Sequence, residues 1–185
     1  SIKCTTSEIN KKYFEEHPKD KLEREWLNEE SRLAEFNKTA VSTSITIPIV
    51  FHVNDPTNPQ KVTLAQVQSA VDILNEDYNG LNPEFNSLRP EFQGIASNFE
   101  INFCLASIDP DGNSTNGITY HYNSYNGREP NGSGGAVKGV SVWPCDKYLN
   151  VWIVNEVEDD GDLYYSGWAF YPSTSLADQG LDGIV

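Results

Sequence analysis

The sequence contains no methionine, only three histidines and three cysteines, and 13 Lys and Arg against 27 Asp and Glu. Each shortage excludes something. With a formal net charge of -14 and no basic stripe, the chain is not built to hold phosphate or nucleic acid. No apolar run reaches the roughly 18 residues that a membrane span needs. The chain opens on the polar SIKCTTSEIN, so any export signal is expected to have been removed or never to have been present. His17, His52 and His121 include no pair four residues apart, and none is followed by Glu. No two of them can therefore share one helix face as metal ligands. The cysteines are Cys4, Cys104 and Cys145, so a pairing of two leaves one thiol over.

What is present fits a folded domain. The chain has 185 residues, 38% of them hydrophobic and 11% aromatic, which is enough for a real core. Its charge is uneven. Residues 1–40 carry eight basic and nine acidic side chains, whereas residues 41–185 carry five and eighteen. The shift divides the chain into two parts, with a boundary between Ala40 and Thr46.

Along the chain, residues 1–18 read as irregular. Residues 20–36 read as an amphipathic helix with Leu22, Trp26, Leu33 and Phe36 near one face. ITIPIVFHV at 45–53 is almost continuously apolar and β-branched, as in a strand buried on both faces of a parallel sheet. Thr63 with Gln66 forms a capping box for a helix carrying Leu64, Val67, Val71 and Leu74, which Gly80 ends. FEINFCLAS at 99–107 completes a βαβ unit. Residues 109–117 are a turn and 121–139 a long Gly- and Asn-rich loop. YLNVWIV at 148–154 is a buried strand, 156–162 an acidic loop, and SGWAFYP at 166–172 an aromatic edge strand closed by Pro172. LDGIV at 181–185 is the start of a further strand.

Six of these segments, in order, resemble the pappalysin family of metzincin metallopeptidases. They are IPIVFHV (47–53), TLAQVQSAVDILNEDYNGLN (63–82), INFCLASIDPDGNSTNGIT (101–119), KYLNVWIV (147–154), GWAFYP (167–172) and DGIV (182–185). The resemblance implies an α/β fold of the α+β kind: a twisted, mostly parallel sheet with one antiparallel edge strand and backing helices. It implies a helical propeptide over 1–41, followed by the N-terminal subdomain of a catalytic domain over 42–185. It further implies a secreted zinc endopeptidase whose zinc is held by His-Glu-x-x-His-x-x-Gly-x-x-His. That motif and the methionine turn beneath the zinc are missing here. The zinc ligands are therefore expected in a C-terminal remainder, and this chain alone is expected to be inactive.

The resemblance also assigns residues. Cys4, in KCTT, resembles a propeptide cysteine that occupies the open zinc position as thiolate, with Lys3 in place of Arg and Thr5 in place of Gly. Gly167, Trp168, Ala169 and Phe170 resemble the rim strand along which a peptide substrate lies antiparallel. Cys104 and Cys145, near two strands, are expected to form a disulfide in an oxidising compartment, the alternative being two free thiols. His52 reads as a hydrogen-bonded core residue, His121 as a loop residue and His17 as solvated. Asp109, Asp111 and Asn113 have the oxygen spacing that begins a calcium loop, but Gly112 and Tyr120 break the pattern, and a plain turn is the simpler reading. Calcium remains possible there or at Glu156, Glu158, Asp159, Asp160 and Asp162. Asn37, Asn113 and Asn131 stand in glycosylation sequons. The competing reading is a non-catalytic peptide- or glycan-binding module on the same scaffold.

Overall fold

The apolar run at 45–53 becomes the axis of the molecule. The computed structural model describes residues 3–4, 6–36, 44–123, 136–155, 157 and 165–185. Its elements in chain order are β1 (Lys3–Cys4), α1 (Thr6–Glu16), α2 (Pro18–Phe36), β2 (Ile45–Asn54), α3 (Leu64–Tyr78), α4 (Pro90–Gln93), β3 (Ile101–Leu105), β4 (Ile118–His121), α5 (Ala136–Ser141), β5 (Leu149–Ile153), β6 (Tyr165–Gly167) and α6 (Thr174–Asp178). The sequence reading had no helix at 6–16 and no strand at 118–121; both exist.

β2 pairs in parallel with three strands. β3 runs beside Ile45–Ile49, β4 beside Phe51–Asn54, and β5 beside Ile49–Val53. Ile49 thus has β3 on one side and β5 on the other, while β4 and β5 share residues 51–53. β3 and β4 therefore lie end to end along one side of β2. Past β5 the sheet continues through Ile184, which bridges Val151 in parallel and Ala169 in antiparallel sense. The antiparallel strand is where the resemblance puts it, but it is not the edge. β1 pairs outside it, parallel to β6.

The sheet has an apolar core on each face, because alternate side chains of a strand point to opposite sides. Ile49, Phe51 and Val53 meet Val67 and Val71 of α3, Phe103 and Ile118. On the second side, Trp152 joins Ile9, Tyr13, Val137, Trp168, Phe170, Leu176, Leu181 and Val185. α3 forms for the expected reason: Thr63 Oγ1 accepts from Gln66 N, and Gln66 Oε1 accepts from Thr63 N at 2.8 Å. Asn75 of α3 closes the free side of β3, donating to Phe103 O at 2.9 Å and accepting from Phe103 N at 2.7 Å. Between α3 and the sheet an apolar groove of about 440 Å³ stays open, lined by Ile49, Ile73, Tyr78, Phe103, Val151 and Ile184 among others.

Gly183 shows how tightly the Ile184 segment is seated. Its φ is 125°, and a Cβ there would stand 2.5 Å from Asn150 O and 2.6 Å from the Trp152 ring. Gly183→Ala is expected to cost about 2–4 kcal/mol, from left-handed strain plus overpacking. Urea unfolding of the variant beside the parent chain checks this.

The Cys104–Cys145 disulfide is not formed; both thiols are free. Cys104 stands opposite Pro48 on one side of β2, while Cys145 precedes β5 on the other. Two strand spacings of about 4.8 Å separate the two sides, beyond the Cα distance of about 7 Å that a disulfide tolerates.

Candidate functional site

Residues 167–171, the end of β6 and its continuation through the Ala169–Ile184 bridge, make a rim strand with two sides, and each has found partners. Inward, Trp168 and Val185 exchange both of their main-chain bonds, N to O at 2.9 Å each way. Gly167 is required on this side. A Cβ there would meet the Val185 carbonyl oxygen at 2.5 Å, so its close approach is to the chain's own backbone. The Trp168 and Phe170 side chains are buried, at 2% and 6% exposure, in the core that also holds Ile9, Tyr13 and Leu176. Whatever this strand offers outward is main chain.

Beneath the strand lies Lys138, fully buried. Its Nζ donates to Leu181 O at 2.7 Å and Gly183 O at 3.0 Å. It also stands 4.3 Å from the Trp168 ring centre and 5.2 Å from those of Trp152 and Phe170. Burial pushes the amine down to about 7, with Asp182 and Cys145 pulling the other way. The amino group thus ties the 181–183 segment to the aromatic floor of the strand.

Outward, the expectation of an open edge fails, because the N-terminal segment covers it. Lys3 and Cys4 pair with Tyr165 and Gly167. Then the chain turns into α1, and side chains continue the ladder. Thr6 Oγ1 accepts from Ala169 N at 3.2 Å. Asn10 Nδ2 donates to Ala169 O at 2.9 Å, and Asn10 Oδ1 accepts from Tyr171 N at 2.6 Å. Ile9 and Tyr13 pack behind, with Tyr13 4.9 Å from the Phe170 ring. Burial and the buried Asp20 carboxylate, to which its hydroxyl donates, push Tyr13 up to about 12. α2 adds polar ties: Glu23 Oε1 accepts from Thr174 N at 3.1 Å and from its hydroxyl at 2.8 Å, and Arg24 lies 5.1 Å over the Tyr171 ring. The face expected to be buried is instead exposed at Leu22, Trp26 and Leu33.

The other candidate residues stand apart from this strand. His52 is fully buried and bonded to Asn150 and Thr119. Asn150 Oδ1 also accepts from Trp143 N, which fixes its orientation, so His52 Nε2 carries the proton and Nδ1 accepts from the Thr119 hydroxyl. Thr119 Oγ1 in turn accepts from His121 Nε2. Burial pushes His52 down to about 4 and lowers His121 as well. Both rings serve as neutral links in a core network. His17 is exposed and stacks on Tyr13. The Asp109 carboxylate is engaged by the amides of Asp111 and Asn113, which hold it below its usual range. The Cys4 side chain, Asn37, Asn131 and the acidic residues 156 and 158–162 lie outside the described residues.

Among the described residues, no three His, Cys, Asp or Glu side chains converge to hold a metal. No described helix is long and apolar enough to cross a membrane.

The family model for peptidase M43, described as pregnancy-associated plasma protein-A, matches residues 136–185. Mature mirolysin of Tannerella forsythia, solved with a cleaved peptide, is 31% identical, with a TM-score of 0.64. Mirolysin in complex with compound 9 is 33% identical at the same TM-score. The chain thus matches the pappalysin family, both by its family model and by two mirolysin structures. Those two matches each cover 78% of this chain and 53% of the mirolysin chain. A promirolysin mutant from the same organism, 27% identical with a TM-score of 0.70, covers 98% of this chain and 58% of its own. A comparison with curated protein sequences returns no match. The chain thus spans little more than half the length of its pappalysin relatives, and its described residues do not fit a three-histidine zinc site.

Sequence reasoning missed Asn10, Thr6 and Lys138. Asn10 had a signal: it is a polar residue at i+4 from Thr6 and next to the apolar Ile9, in a stretch with good helix formers. Lys138 had none beyond being one of five basic residues after residue 40.

Proposed function

We propose that this chain is the pro-segment and upper half of a secreted zinc metalloendopeptidase held latent in cis. The observation that carries the reading is the outer side of the 167–171 strand, where residues 3–10 take the main-chain groups a substrate strand would use. Two further facts support it. The pro-form of mirolysin covers 98% of the chain, whereas the mature forms cover 78%, a difference close to the length of the 1–41 segment. The apolar groove between α3 and the sheet also leaves a face for the remainder of a catalytic domain to pack on.

On this reading the zinc and its general base belong to that remainder, and this chain contributes the strand that aligns the peptide. Cys4 itself pairs with Gly167, and the resemblance assigns it to the zinc in the latent state. Joined to a remainder bearing the zinc motif, the protein is expected to cleave casein once residues 1–41 are removed, and 1,10-phenanthroline is expected to abolish cleavage. Cys4→Ala is expected to shorten the lag before activity appears. Cleavage that survives the chelator contradicts the reading. No cleavage after removal of residues 1–41, with peptide still bound, favours the non-catalytic module instead.

A further inference from the structure

We propose that Asn10 is the lock of the rim: its side-chain carboxamide stands in for the N–H and C=O of one strand residue, and an extended peptide main chain competes with it for Ala169 and Tyr171. The inference rests on reading 167–171 as the substrate edge. It adds a residue, a geometry and a competitor to that reading.

In a parallel ladder, one residue donates its N–H to a carbonyl of the neighbouring strand and accepts at its C=O from an amide two residues further on. Asn10 does both, donating to Ala169 O at 2.9 Å and accepting from Tyr171 N at 2.6 Å. Its position continues the parallel pairing that Cys4 makes with Gly167. The carboxamide is 1% exposed, and its second N–H donates to Thr6 O at 2.6 Å, so it is fully satisfied where it stands. Thr6, one helical turn earlier, takes the remaining outward group, Ala169 N. A peptide laid antiparallel would need the N–H and C=O of a single rim residue. At Ala169 those are the two groups held by Thr6 and Asn10.

The device is a helix doing a strand's work. A true strand would bind the edge through many cumulative bonds and release slowly. Here two side chains one turn apart close it, so one substitution can open it. Leu22, Trp26 and Leu33 stay exposed, which leaves the N-terminal helices held chiefly by Ile9, Tyr13, Phe14 and these polar ties.

The test uses the whole chain. Amide hydrogen exchange is followed by NMR, with a fluorescein-labelled octapeptide of extended, neutral sequence as probe. In Asn10→Ala, the Tyr171 amide is expected to lose protection on the order of 5- to 10-fold, the worth of one hydrogen bond. Trp168 and Val185, bonded on the inner side, are expected to keep theirs. Peptide affinity is expected to rise by a similar factor of about 5–10, because the open fraction rises. Asn10→Asp leaves no cavity but sets a carboxylate oxygen against the Ala169 and Thr6 carbonyls; it is expected to admit the peptide too. Unchanged Tyr171 exchange and unchanged peptide binding overturn the lock and leave the peptidase reading standing. Faster Tyr171 exchange without peptide binding overturns the rim as a peptide site, and the peptidase reading with it. Loss of Trp168 and Val185 protection in both variants also overturns the proposal, since Asn10 is then a strut for the whole sheet.

Discussion

Lys138→Ala is expected to lower the free energy of unfolding by about 3–5 kcal/mol, the range for emptying a core site and breaking its buried polar partners. The variant leaves Leu181 O and Gly183 O without their donor and empties the space among Trp168, Trp152 and Phe170. Lys138→Met keeps most of the stem and loses the donors, so it is expected to cost less, about 1–3 kcal/mol for carbonyls left unpaired. The two variants separate packing from hydrogen bonding. A pH effect goes with them. Burial pushes the folded amine to about 7, against an ordinary value of 10.5. Between those values the unfolded chain binds a proton that the native protein does not, so this group makes stability rise with pH across that window. Lys138→Met is expected to flatten that slope. Urea unfolding at pH 7 and pH 9 measures both effects, and a Lys138→Met variant as stable as the parent with the same pH slope would refute the role.

Acid is expected to destabilise the sheet through His52. Its ring is fully buried and is pushed from 6.5 to about 4, first by burial, then by the nearby His121, with the Asn150 bond opposing. Between pH 6.5 and 4 the unfolded chain takes up a proton that the native ring refuses. Stability contributed by the neutral ring is therefore present above pH 6.5 and is lost as pH falls towards 4. At about 1.4 kcal/mol for each pH unit of difference, the loss amounts to about 3 kcal/mol. His52→Gln is expected to be less stable than the parent at pH 7.5, because the Thr119 and Asn150 bonds are disturbed. It is also expected to lose about 3 kcal/mol less on acidification to pH 4.5 and below. Comparing the pair cancels the carboxylates common to both, including Asp55, which Lys61 and the Thr57 and Asn58 amides hold well below the usual range. Equal acid losses in the two proteins would show that His52 is not the sensitive group.

These residues also show what was legible. The β2–α3–β3 unit could be read because its signals are local. The β-branched run at 45–53, the Thr63–Gln66 box and the Val67–Val71 spacing each specify their element without knowledge of the rest. His52 as a core residue follows from its place in that run. The N-terminal helices could not be read this way. α1 looked irregular because its buried face carries Asn10 beside Ile9 and Tyr13, and that asparagine makes sense only against main-chain groups some 160 residues away. α2 showed an apolar stripe that is in fact exposed, while Asp20, Glu23 and Arg24 make the contacts. The disulfide expectation failed for a related reason: nearness to two strands says nothing about which strand lies between them.

By itself the amino-acid sequence determined the class of fold and the lack of a His-Glu-x-x-His motif in this stretch. Those rest on periodicity, capping and residue inventory, which act over a few residues or none. Only the tertiary structure decided that the 167–171 strand is covered rather than open, that a carboxamide covers it, and that a buried amino group supports it from below. Each of those depends on matching one donor to one acceptor across the fold. A buried polar group must find its partner, but nothing in the local chain names which partner that will be.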